Sequence, residues 1–186
     1  MAADVTEGDN LSEDVPERRI VEFRLGTERY AIDVDHIERI VEVERVTRLP
    51  RAPSAIDGLI DLRGEITAVI DPRELFSVGP PISSDLDPRI LVFDLPDEPQ
   101  PVGMHVDAVL AVDAYPEYAI ERGEVVEEMD SDALEQGLLR GVIRDEEGDG
   151  VVAWVDPEGI VDATSVDTGS IDASSLEADV ARLVDP

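Results

Sequence analysis

Chemistry needs groups that ionise, bind or attack, and this chain offers few kinds. It has 45 acidic residues, 15 basic ones, two histidines and no cysteine. Thiol nucleophiles, disulfides and thiolate metal sites are therefore excluded. Every basic residue is arginine, so there is no lysine for a phosphate loop or a Schiff base. His36 and His105 lie far apart, with no ligand spacing around either, and read as surface or strand histidines. The run Asp145-Glu146-Glu147-Gly148-Asp149-Gly150 has the acids of a calcium loop without its alternating ligands or terminal glutamate. A solvated hairpin turn is expected there. Trp154 sits in an apolar strand and reads as core. With 45 acids, no pair of carboxylates stands out as an acid–base couple. These residues imply no catalytic set, no cofactor and no metal, which favours a binding module over an enzyme. A small acidic hydrolase working through a carboxylate cluster is the competing class.

One cation is placed differently. Gly58 to Phe76 read GLIDLRGEITAVIDPRELF. Ile56, Gly58 and Ile60 form one alternating set, and Ile66, Ala68 and Ile70 another, so two strands are expected around Leu62-Arg63-Gly64. Gly64 gives the tight point its backbone freedom, and Arg63 stands beside it.

The elements that must hold this turn are short. Val21, Phe23 and Leu25 alternate with Glu22 and Arg24, which predicts a half-buried strand. Gly26-Thr27 turns the chain, and Tyr30-Ala31-Ile32 returns. Val34, Ile37 and Ile40 have helical spacing, so a short helix capped by Asp33 is expected. Val41, Val43 and Val46 read as extended chain, stopped by Leu49-Pro50 and Pro53. Ser77 to Pro88 is a loop. Ile90 to Phe93, Val102 to Val106 and Ala108 to Val112 are strands. Asp113 to Gln136 reads as irregular, with one short helical possibility near Ala133. Leu139 to Ile143 and Val151 to Val155 form a hairpin, and Gly159-Ile160-Val161 closes the domain. Leu176, Val180 and Leu183 mark a terminal amphipathic helix. Many short strands with Gly and Pro turns predict an all-β fold, a small barrel or sandwich. The expected organisation is a disordered acidic arm over residues 1–17, one domain over 18–163, and a linker with the helix over 164–186.

Charge bounds the partners. The net charge of -30 argues against nucleic acid and anionic membrane, which need clustered cations. No apolar run approaches the ~18 residues that span a bilayer, and the acidic start lacks a signal core, so a cytoplasmic protein is expected. An acidic, folded, Lys-free chain is read as halophilic, from an archaeon, because concentrated salt screens its self-repulsion.

Taken together these segments resemble CheW-like chemotaxis coupling proteins. The blocks are Phe23-Arg24-Leu25-Gly26-Thr27-Glu28-Arg29-Tyr30-Ala31-Ile32, Ile37-Glu38-Arg39-Ile40, Thr47-Arg48-Leu49-Pro50, Gly58 to Gly64, Ala68 to Arg73, Val102 to Val109, and Gly141-Val142-Ile143 with Val151 to Asp156. They follow in the family's order over residues 19–162. Two departures stand out. Asp61 replaces the asparagine of the family's Asn-Leu-Arg-Gly, and Arg39 replaces an acid.

The resemblance implies two intertwined SH3-like five-stranded β-barrels with short helices and a C-terminal helix. It implies an adaptor that couples chemoreceptor cytoplasmic tips to the regulatory domain of the histidine kinase CheA, without catalysis. A regulatory domain of a larger signalling protein is an alternative. The pattern places Arg63, Ile37, Asp61 and Gly64 at the receptor-binding face, and Ile40 and Arg39 towards the kinase. Arg63 could instead brace its turn through Asp61 or Asp71, and helical spacing would make Ile37 and Ile40 core. The change at Arg39 would reverse any charge contact there, and Asp61 removes a carboxamide donor.

Overall fold

The computed structural model describes residues 15–43, 45–81, 83, 85–122, 137–144 and 150–164. Most of the acidic arm, the helical possibility near Ala133, the Asp145–Asp149 loop and the stripe of Leu176, Val180 and Leu183 lie outside the described residues.

The described chain is mainly β and forms two curled sheets. The first contains β1 (Glu17–Leu25), β2 (Glu28–Asp33), β8 (Ala108–Pro116), β9 (Ile120–Glu121), β10 (Leu139–Arg144) and β11 (Val151–Val155), in the order β8-β1-β2-β11-β10-β9. The second contains β3 (Ile37–Glu42), β4 (Ile56–Leu62), β5 (Glu65–Ile70), β6 (Arg89–Phe93) and β7 (Val102–Val106), in the order β3-β6-β7-β5-β4. The middle of the chain thus builds one barrel, and the strands before and after it build the other. The parallel pairing of β2 with β11 ties the two flanks together.

Connectivity shows why each sheet curls. β8 and β9 are opposite edges of the first sheet, yet only the 3-10 turn Glu117–Ala119 separates them in sequence. So short a link brings the edges round to each other. In the second sheet the edges are β3 and β4. The chain leaving β3 closes onto β4 through Thr47, whose N–H donates to the Leu59 carbonyl at 2.8 Å. The Leu59 N–H returns a bond to the Thr47 carbonyl at 2.9 Å. Gly58 permits that approach, because a Cβ there would lie 2.3 Å from the Thr47 carbonyl oxygen.

Alternate residues of one strand serve different cores. Ile20, Ala31, Ile143, Val152 and Trp154 fill the first barrel. Ile60, Val69, Ile90 and Val92 fill the second. Val21, Phe23, Tyr30, Ile70, Leu91, Phe93, Met104 and Val155 meet in a larger core between the barrels. Ile90 to Phe93 therefore reads as an unbroken apolar run, as expected for a strand buried on both faces. Each such side chain contributes about 1.5–3 kcal/mol by leaving water.

Two expected elements are different in the structure. The helix proposed from Val34, Ile37 and Ile40 is only a 3-10 turn, Val34–His36, with no side-chain bond from Asp33. Ile37–Glu42 is strand β3, with half-buried and exposed residues alternating. Strand pairing with β6 overrode a spacing that three residues could satisfy by chance. The chain from Asp113 to Glu121 is not irregular, because β8 continues to Pro116 and β9 follows, while residues 123–136 lie outside the described residues. This stretch lies on a strand at the sheet's edge, exposed from Val112 to Ala114. Gly159-Ile160-Val161, expected to close the domain, lies in helix α1 (Pro157–Ala163). Asp156 caps it by accepting from the Glu158 N–H at 3.3 Å, Pro157 opens the first turn, and Ile160 and Val161 enter the shared core.

Candidate functional site

The hairpin of β4 and β5 presents the site. Leu62 pairs with Glu65, so the loop is the two residues Arg63 and Gly64. Both have positive φ, 59° and 88°, as a type I′ turn requires. The Asp61 carboxylate accepts the Gly64 N–H at 2.6 Å, so the acid that replaces the family asparagine holds the turn. Arg63 is exposed and makes no ion pair or hydrogen bond among the described residues. Asp61 is occupied by Gly64, and Asp71 approaches Arg73 instead. Neither of the two acids considered as a brace holds Arg63.

Arg63 stands at the rim of a groove of about 810 Å³ between the two edges of the second barrel. Arg39, Val41 and Glu42 of β3 form one wall, Ile60, Asp61 and Leu62 of β4 the other, and Arg45 and Thr47 the closing end. Ile60, Val41 and Leu62 also belong to the apolar interior of this barrel or pack against it, so the groove opens onto core. Arg39 spans the groove: one guanidinium nitrogen donates to Glu38 at 2.6 Å and to Glu65 at 3.0 Å. Its charge is thus engaged within the chain.

The other named candidates are elsewhere. Ile37 is half-buried and packs against the shared core. Ile40 is 37% exposed, on the face of β3 that carries Glu38 and Glu42. Neither lines the groove.

Sequence reading missed the residues that hold the barrels together. Asp107 is 3% exposed. One of its oxygens accepts the Gly26 N–H at 2.7 Å, and the other accepts from the Arg73 guanidinium. A second Arg73 nitrogen donates to the Gly79 carbonyl at 2.6 Å. The β1–β2 turn, the β7–β8 junction and the chain after β5 therefore meet at one carboxylate. The signal was a carboxylate between strands in Val102 to Val109, and an arginine ending Ala68 to Arg73.

The remaining candidates resolve simply. His105 lies 3.3 Å from Asp57 across the sheet, and His36 is half-buried on its 3-10 turn. Trp154 is 4% exposed and packs in the first barrel, with the guanidinium groups of Arg18 and Arg122 at 5.2 and 5.0 Å from its ring. Burial and the Glu28 carboxylate push the Tyr30 hydroxyl well above its ordinary pKa. Among the described residues, no three His, Asp or Glu side chains are placed to hold a metal, and no helix is long and apolar enough to cross a membrane.

Comparison with known proteins agrees with this architecture. The family model described as CheW-like domain matches residues 19–165. The chemotaxis protein CheW of Thermotoga maritima is 28% identical over 102 residues, 55% of this chain and 65% of that protein. The CheW of Klebsiella aerogenes is 34% identical over 87 residues, 47% of this chain and 51% of that protein. That of Treponema pallidum is 38% identical over 58 residues, 31% of this chain and 34% of that protein. The chain thus spans between a third and two thirds of these relatives. Among solved structures, the scaffolding protein TtCheW of Thermoanaerobacter tengcongensis superposes with a TM-score of 0.65 at 27% identity, covering 78% of this chain and 88% of that one.

Proposed function

This chain belongs to the CheW-like domain family, and from that premise we propose that it is a chemotaxis adaptor, joining chemoreceptor cytoplasmic tips to the regulatory domain of the kinase CheA. It works by binding alone. The observation that carries the receptor half is Arg63: exposed, without an ion pair among the described residues, and held at the lining of a mixed polar and apolar groove at a backbone angle that suits glycine. A long cation kept in a strained turn with no partner of its own is free to meet a partner's carboxylate. Asp61 and Gly64 contribute by fixing that turn. Arg39 shapes the groove through Glu65, and Ile40 offers an exposed apolar contact towards the kinase. Ile37 supports β3 from the core side. We also read the Lys-free, strongly acidic composition as adaptation to molar salt within the cytoplasm of a halophile.

The test is a pull-down at molar KCl with a receptor cytoplasmic-tip fragment and a kinase regulatory-domain fragment. The parent retains both. Arg63→Ala keeps the kinase fragment and loses the receptor. A parent that retains neither fragment removes the adaptor reading, and an Arg63→Ala protein that still binds receptor removes Arg63 from the contact.

A further inference from the structure

Among the described residues, Ile40, Ile66 and Val151 are large hydrophobic side chains exposed on three separate strands, β3, β5 and β11. The others gather. Leu110 and Val112 are exposed on β8, and Tyr118 and Val15 are exposed where β8 ends. The Glu117 N–H donates to the Pro16 carbonyl at 2.9 Å, which sets Val15 beside the turn that carries Tyr118. Register shows what this strip is. Val112 lies opposite Val21 on β1, and Ala114 lies opposite Arg19. Directly opposed residues share a face, so Val112 and Ala114 continue the face on which Val21 is buried in the shared core. Val109, earlier on β8, still packs against that core. Leu110 is the extra residue of a bulge, and from there the face stands open: Val112 is 46% exposed. The shared core thus runs out into solvent along an edge strand.

The chain leaves the described residues beside the same core. Ile160 and Val161 of α1 are buried in it, and Thr164, the last described residue, is itself buried. Residues 165–175 then lead to Leu176, a reach of up to about 36 Å. The stripe of Leu176, Val180 and Leu183 would be about 10 Å long on a helix. Leu110 to Ala114 on a strand is about 13 Å.

We infer that this C-terminal segment docks on the β8 strip, with Leu176, Val180 and Leu183 against Leu110, Val112 and Ala114. The inference does not depend on the adaptor reading. Two apolar stripes of matched length border one core, and exposed apolar surface of this kind marks a contact. Charge selects the occupant. A second copy would bring another net charge of -30 to the strip. The tethered segment is present at an effective concentration on the order of millimolar, whatever the protein concentration.

The chain has no cysteine, so paired substitutions in the full chain report proximity cleanly. The pairs are Val112→Cys/Val180→Cys, Val112→Cys/Ala178→Cys on the opposite side of the expected helix, and Ile40→Cys/Val180→Cys on the other barrel. They are oxidised with copper phenanthroline at molar KCl and micromolar protein, and the products are separated on non-reducing gels. The first pair closes within one chain about tenfold faster than either control. Separately, Val180→Asp in the full chain moves the amide resonances of Leu110 to Ala114 and leaves those of β3 and β4 in place, whereas Val180→Leu moves neither set. Equal closure of the three pairs means a segment without a docked face, and overturns the inference. Disulfide-linked dimers from the first pair mean that the strip faces a second copy, and overturn it too. So do β8 resonances that ignore Val180→Asp.

Discussion

At the residue scale, Arg63 carries a cost that glycine would not. A non-glycine residue at φ 59° is strained by roughly 1 kcal/mol. Its exposed side chain returns nothing through ion pairing among the described residues. Arg63→Gly should therefore be more stable than Arg63→Ala by about 0.5–1 kcal/mol, in chemical denaturation at fixed molar salt. An alanine variant as stable as the glycine one would mean that the turn is not strained at this position. Asp107 is the opposite case. Its carboxylate is buried and accepts from Gly26 and Arg73 together. Asp107→Ala leaves a buried N–H unpaired and a guanidinium with weaker company, and should cost about 3–5 kcal/mol in the same assay. A loss below 1 kcal/mol would show that water replaces the carboxylate easily. Of these two, the sequence displays only the first. Arg63 announces itself by standing beside Gly64 in a two-residue turn. Asp107 is one acid among many, and only the fold shows that it faces a turn some eighty residues earlier in the chain.

At the element scale, the two barrels differ in what closes them. The first is drawn together by a three-residue link between its edges, Glu117–Ala119. The second depends on Thr47 reaching Leu59 over Gly58. A Cβ at Gly58 would meet the Thr47 carbonyl at 2.3 Å and the Val46 side chain at 2.8 Å. The backbone cannot yield there without losing both Thr47–Leu59 bonds. Gly58→Ala should therefore destabilise by about 2–3 kcal/mol. Protection of the Leu59 amide from hydrogen exchange should fall before that of β1 and β2. Equal protection at Leu59 in parent and variant would refute this account of closure. The elements themselves were largely legible. The β1–β2, β4–β5 and β10–β11 hairpins follow from alternation and turn residues. The failures share a cause: local spacing is silent about pairing. Three apolar residues from Val34 to Ile40 fit a helix as well as a strand, and β6 decided between them. The Asp156-Pro157 opening of α1 is a capping signal visible in the sequence, but a helix of seven residues is too short to show an apolar period of its own. Even the correct β4 hides a twist. Ile56 and Ile60 look like one face, but the bulge between Ile56 and Gly58 turns Ile56 to the shared core and Ile60 to the barrel interior. The groove was illegible for the same reason, since it lies between two edges that only barrel closure brings together.

At the scale of the whole molecule, two opposing electrostatic effects respond to salt. Dilution strengthens the surface pairs, such as Arg39 with Glu65 and Arg144 with Glu121. Each of these is worth about 0–1 kcal/mol. Dilution also lengthens the screening distance from about 3 Å at 1 M to about 10 Å at 0.1 M, so that unmatched acids begin to repel their neighbours. With 45 acids and 15 basic residues, each base can neutralise at most one acid, and the net charge of -30 remains. Repulsion among so many unmatched charges outweighs a handful of weak pairs. The buried pair of Arg73 with Asp107 is shielded from ions by the fold and changes little. The three hydrophobic cores moreover gain from salts that raise the cost of exposing apolar surface. Both dominant effects have the same sign. The melting temperature should therefore rise monotonically with KCl from dilute buffer into the molar range. Circular dichroism melts across that series, at one pH and one protein concentration, measure it directly. Potassium sulfate runs at matched ionic strength separate the two causes. Screening alone gives the same curve for both salts, whereas a contribution from the cores places sulfate higher. A melting temperature that stays level down to dilute buffer would show that the acids are spaced widely enough not to oppose folding, and would remove the case for adaptation to molar salt.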